Sequence, residues 1–110
     1  MIKLFIDDLR KCPDNTWIVV RNYSKAMQLI KENIGNIQAI SLDHDLGEVK
    51  TGYDIACFIE CNNIFIENVI IHTSNPIGRK NIKDALKNCC SKIAIIIGYD
   101  NEEWQNIVEK

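Results

Sequence analysis

The sequence has no long hydrophobic run, no basic excess, no repeat and no linker. No segment approaches the roughly 20 apolar residues of a membrane span, and the opening stretch Met1–Ile6 is cut off by Asp7 and Asp8 before it could form a signal peptide. Thirteen Lys and Arg stand against fifteen Asp and Glu, a net charge of -2. No charge surplus therefore points to duplex nucleic acid. With two prolines and five glycines, no Pro/Gly-rich linker divides the chain, and one domain over residues 1–110 is expected. The five cysteines are odd in number and contain no CxxC pair. This spacing does not suit structural zinc, and reduced thiols in the cytoplasm are expected. Only two histidines occur, His44 and His72.

What is present is an alternation of short β-branched runs with helix-period segments. The runs are Ile2–Ile6, Trp17–Val20, Ile37–Leu42, Val69–His72 and Ile93–Ile97. Such strands suit a parallel sheet covered by helices. Tyr23, Ala26, Met27, Ile30 and Ile34 recur at helical spacing behind a candidate cap, Asn22. Thr51 and Asp54 form a capping-box pair before Ile55, Ala56 and Ile59. Ile82, Ala85, Leu86 and Cys89 make a third stripe, and Asp100 precedes a fourth with Trp104, Ile107 and Val108. The pattern predicts a three-layer α/β sandwich on a parallel five-stranded sheet; if its order is 2-1-3-4-5, strand one lies beside three and three beside four. Residues 7–16 are too few for an ordinary helical crossover, so the first helix is short or missing.

In open α/β sheets, ligands bind beyond the carboxyl ends of the strands. The polar clusters fall there: Asp7-Asp8 and Arg10 after strand one, Asp43-His44-Asp45 after strand three, His72-Thr73-Ser74-Asn75 with Arg79 after strand four, and Gly98-Tyr99-Asp100 after strand five. Carboxylates gathered this closely repel one another unless a cation shares them. Mg²⁺ shared among Asp7, Asp8, Asp43 and Asp45 is the expected cofactor, because it takes hard oxygen ligands and keeps phosphate in its shell. His44 and His72 are a candidate acid and base, with Asp45 orienting His44 and Asp43 at the reaction centre. Arg10, Thr73, Ser74, Asn75 and Arg79 are candidate phosphate binders. Gly47, Gly52, Gly78 and Gly98 are read as tight turns. Trp17 and Tyr99 could stack on a base or simply pack.

An acidic pair after strand one, an Asp ending strand three and a Thr/Ser after strand four resemble the receiver domain of two-component signalling. That resemblance implies the flavodoxin-like strand order 2-1-3-4-5, narrows the metal set to Asp7, Asp8 and Asp43, and implies phosphoryl transfer to Asp43, with Thr73 or Ser74 as the accompanying hydroxyl. The segments DDLRKCP, SLDHDLG, TGYD and HTSNPIGR are similar, in order, to the cyclic-phosphate-processing receiver family. This implies action on a cyclic phosphate, in nucleotide or RNA-end metabolism and often in phage and conflict settings. Gly98-Tyr99 stand where a receiver carries its switch lysine. The expected activity is a phosphoesterase on a cyclic nucleotide or an RNA 2′,3′-cyclic end. The alternatives are a non-catalytic cyclic-nucleotide or protein binder, and a signalling module phosphorylated on Asp43.

Overall fold

A computed structural model describes residues 1–96. Five parallel strands, β1 (Ile2–Ile6), β2 (Ile18–Val20), β3 (Ile37–Leu42), β4 (Asn68–Ile71) and β5 (Lys92–Ile95), alternate with α1 (Tyr23–Glu32), α2 (Gly52–Cys61) and α3 (Pro76–Leu86). The sheet order is β2-β1-β3-β4-β5, as the sequence predicts. β1 and β3 are expected to the residue. β4 begins one residue earlier than expected, and β2 starts after Trp17. The helix predicted from Asp100, and with it any third layer built from it, lies outside the described residues.

This order fixes which face each connection covers. From β2 to β3, β3 to β4 and β4 to β5 the chain moves across the sheet in one direction, and parallel crossovers keep one hand. All three helices therefore lie on one face. Leu4, Ile6, Ile40, Leu42 and Val69 point to it, and Ala26, Ile30, Ile55, Ile59, Ile82 and Leu86 pack down on them. The step from β1 to β2 runs the opposite way, so residues 7–17 cross the other face. There Phe5, Ala39, Ile70 and Ile96 meet Trp17, with Cys12 against them. Trp17 therefore belongs to the core, its ring edge-on to Phe5 at 6.5 Å.

The 7–17 crossover contains no helix, and side chains satisfy its backbone instead. Asp7 accepts the N–H groups of Leu9 and Arg10, both at 2.8 Å, and Asp14 accepts that of Thr16 at 2.8 Å. Arg21, just past β2, donates Nη1 to the carbonyls of Asp7 at 3.2 Å and Arg10 at 2.5 Å. The helix caps follow the sequence: Asn22 accepts from Lys25 N at 2.9 Å, and Thr51 with Asp54 completes a capping box. Of the glycines predicted to turn, Gly47 has a positive φ of 71°, while Gly52 and Gly78 lie inside α2 and α3. All five cysteines are free thiols, and burial pushes those of Cys89 and Cys90 up. Among the described residues no helix is long and apolar enough to cross a membrane.

Candidate functional site

β1 and β3 are neighbours whose connections leave on opposite faces, so a crevice opens between their carboxyl ends. Asp7 and Asp43 are the first residues past those ends. The ladder carries them a step further, with Asp7 N bonded to Val20 O and Asp43 N to Ile6 O, both at 3.0 Å. Asp7 is 1% exposed and Asp43 7%. Both Asp7 oxygens are fully engaged. Oδ1 accepts the two backbone N–H groups already described, and Oδ2 accepts from His72 Nε2 at 2.9 Å and Arg10 Nη1 at 3.2 Å. Burial alone would raise the Asp7 pKa. The His72 hydrogen bond, the Arg10 and Leu9 amides and the charge of His72 outweigh it and hold the carboxyl well below the usual carboxylate range. Asp43 shifts the other way. Burial and the neighbouring Asp7 push it up, against the smaller opposing pull of His72, a Thr73 hydrogen bond and Arg10.

His72 lies beneath these carboxylates, its ring stacked on Phe5 with centroids 4.8 Å apart and planes within 6°. Nε2 donates to Asp7, and Nδ1 is hydrogen-bonded with Ser41 Oγ at 2.6 Å. Ser41, His72 and Asp7 form a chain of the same residue types as a hydrolase triad. Ser41 is wholly buried within the sheet, however, where no substrate reaches a nucleophile. The chain is a brace that fixes Asp7. Both His72 ring nitrogens are hydrogen-bonded, and its side chain is 2% exposed.

Above the brace lies a cleft of about 320 Å³ lined by Asp7, Asp8, Leu9, Arg10, Asp43, Asp45, Gly47 and Ser74. Arg10 dominates its floor. Its Nη1 is 3.2 Å from Asp7 Oδ2, 3.4 Å from Asp43 Oδ2 and 3.2 Å from the His72 carbonyl. Asp8 reaches toward the turn at Gly47. A Cβ on Gly47 would stand 2.8 Å from Asp8 Oδ2, the movable end of that side chain, so it is the positive φ of 71° that calls for glycine there.

The loop after β4 closes another side. Thr73 is buried and accepts from Asn75 N at 3.2 Å. Asn75 caps α3, accepting from Gly78 N at 3.0 Å. Arg79 turns back to the Thr73 carbonyl at 3.3 Å and braces the loop rather than lining the cleft. Lys80 pairs with Asp84 on the solvent side of α3. His44 Nδ1 lies 3.0 Å from Asp45 Oδ1 and 3.5 Å from Asn75 Nδ2. Nδ1 has either a proton for Asp45 or a lone pair for Asn75. The shorter, charge-assisted bond to Asp45 fixes the proton there and leaves Nε2 as the reactive nitrogen. The His44 ring rests on α3 at Gly78, where an added Cβ would come within 2.5 Å of it.

The structure thus gathers Asp7, Asp8, Arg10, Asp43, Asp45 and Ser74 around one cleft. It sets His44, Thr73 and Asn75 beside that cleft, with His72 and Arg79 behind as supports. Sequence reasoning passed over Arg21 and Ser41. Arg21 carries the same signal as the others, since it is the first residue past the carboxyl end of β2. Ser41 is recognisable only once His72 is seen opposite it.

Asp7, Asp43 and His72 offer ligand atoms within 4.8 Å of one another, close enough to share an ion. Their donor capacity does not fit Mg²⁺. Asp7 has no oxygen lone pair to spare, His72 Nε2 points a proton at it, and the Arg10 guanidinium bridges the two carboxylates an ion would have to bridge. Of the expected set Asp7, Asp8 and Asp43, only Asp7 and Asp43 fall in this close group, joined by a nitrogen of His72 rather than an Asp8 oxygen. In comparison with known families, the model described as a cyclic-phosphate processing Receiver domain matches residues 2–88. No curated protein matches the chain.

Proposed function

The chain belongs to the family of cyclic-phosphate processing receiver domains, and from that premise we propose that it is a phosphoesterase that hydrolyses a cyclic phosphate in the cleft between β1 and β3. The observation that carries this reading is the meeting of Arg10, Asp43 and Asp45 at that one crevice, with His44 beside it on Asp45. Arg10, with the Ser74 hydroxyl opposite, holds phosphoryl oxygens. Asp43, pushed up by burial and by Asp7, is a better proton acceptor than an ordinary carboxylate and takes a proton from the attacking water. As the water oxygen bonds phosphorus, the ring P–O bond breaks, and protonated His44 gives a proton to the leaving oxygen. Water is consumed, a linear phosphate monoester results, and a proton returns from Asp43 to His44. Asp7, His72 and Ser41 hold Arg10 and Asp43 in register for this step.

A panel of 2′,3′-cyclic and 3′,5′-cyclic nucleotides and RNA with a 2′,3′-cyclic end tests the proposal, with product read by chromatography. The wild type converts at least one of them to the linear phosphate, and Asp43→Asn lowers the rate by about 10²–10⁴-fold, the usual contribution of a proton-transfer group. Full activity in Asp43→Asn would overturn this assignment.

A second reading is favoured by the buried Thr73 just past β4, the strand beside β3 and Asp43, since a hydroxyl near a strand-three Asp is also the receiver arrangement. In that reading Asp43 accepts a phosphoryl group. A stable mass gain on Asp43 after incubation with a small phosphodonor, with no turnover of the panel, would select it. Tight binding of a cyclic nucleotide that is recovered unchanged would select a binder instead.

A further inference from the structure

We propose that the acidic cleft carries its own cation: Arg10 occupies the place between Asp7 and Asp43 where a divalent ion would bind, and the site works without a resident metal. The guanidinium touches both carboxylates through one nitrogen, at 3.2 and 3.4 Å, and the same nitrogen is anchored by the His72 carbonyl. Arg10 is not free to swing away at its base. Its backbone N–H is bonded to Asp7 Oδ1 and its carbonyl to Arg21 Nη1, so both sides of its Cα are held. Its side chain is 37% exposed, which sets it at the boundary between buried carboxylates and solvent. Among the described residues its Nε and Nη2 donors have no partner, and a planar guanidinium carries five such N–H groups in all.

Charge gives the same answer. A pair of carboxylates this close needs a positive partner, and Arg10 supplies one covalently tethered to the loop that also supplies Asp7. A divalent ion entering the same gap would face a fixed positive charge and would have to strip hydrogen bonds from Asp7, none of which solvent can easily replace in a buried position. The inference concerns cation occupancy and stands whatever reaction the cleft performs.

Titration with Mn²⁺, followed by the loss of its free-ion electron paramagnetic resonance signal, and with Mg²⁺ by calorimetry, tests this on the full chain. The wild type takes up neither ion saturably in the millimolar range. Arg10→Ala, which removes the tethered charge and leaves the carboxylates, binds Mn²⁺ at least about tenfold more tightly than the wild type. Arg10→Lys keeps the charge and stays silent like the wild type. Circular dichroism confirms that the variants are folded. Saturable binding by the wild type overturns the inference, and so does a folded Arg10→Ala that remains as silent as its parent. Should Arg10→Ala fail to fold, the wild-type titration and Arg10→Lys still decide.

Discussion

The two aspartates at the crevice are the same residue type one strand apart, yet their surroundings pull them in opposite directions. Asp7 is held down by four donors, so its folded-state pKa lies below its unfolded value. The stability it contributes is complete above the ordinary carboxylate range near pH 4 and is lost as pH falls through its folded pKa. The prediction is that wild type exceeds Asp7→Asn in thermal stability at pH 7 and that the gap narrows steadily as the pH is lowered from about 4 toward 2, read by circular dichroism melts. A constant gap would show that the bonds to Asp7 do not depend on its charge. Asp43 was legible as a site residue from its position after a long apolar strand. That its proton affinity moves opposite to that of Asp7 was not legible, because the shift depends on burial and on Asp7, 36 positions away in sequence. His72 illustrates the same limit. A histidine at a strand end reads as an acid or base, and only the stacked Phe5 and the opposed Ser41 turn it into a brace.

At the level of elements, helix starts were readable because their caps are local. Asn22 and Thr51 each accept the backbone N–H expected of them, whereas Asn75, read as a phosphate binder, also caps α3. The crossover from β1 to β2 was readable as irregular because too few residues remain for a helix. Its hydrogen bonds were not, since Arg21 reaches back from beyond β2. Helix α3 supplies a test of how the site depends on an element. Gly78→Ala would bring a methyl group within 2.5 Å of the His44 ring. Alanine favours a helix by about 1 kcal/mol over glycine, but forced overpacking costs typically 1–3 kcal/mol, and the crowded atoms belong to the ring base and Cβ rather than a mobile tip. The variant is expected to melt slightly lower than wild type. Its turnover should fall by about tenfold or more through displacement of His44, with binding of the cyclic nucleotide little changed. Unchanged turnover would remove His44 from the proposed chemistry.

For the molecule as a whole, strand order did most to reveal the site. Alternation of strands and helices gave a parallel sheet, but order 2-1-3-4-5 came with the resemblance to receivers, and it is this order that brings residues 7–10, 43–45 and 73–75 to one end. The same order makes β3 the central strand, with β1 and β4 on its two sides. Ile40, fully buried at its centre, is therefore shared by the largest core. Ile40→Ala should cost about 2–5 kcal/mol, a large part of the stability of a domain this size. Denaturant titration should show the fold and any activity lost together in one transition. Two separate transitions would mean that the crevice and the core are not one cooperative unit.

The cleft's lip holds more negative side chains than its floor has positive ones, with Asp8 and Asp45 at the opening around a single Arg10. A cyclic phosphodiester brings one negative charge, which the guanidinium can match. Once its ring opens, the same phosphorus carries a terminal group that ionises a second time near neutral pH. Under the proposed reaction, the acidic opening that admits a singly charged ligand would repel the doubly charged product, and the difference in charge would give that reaction a direction of exit.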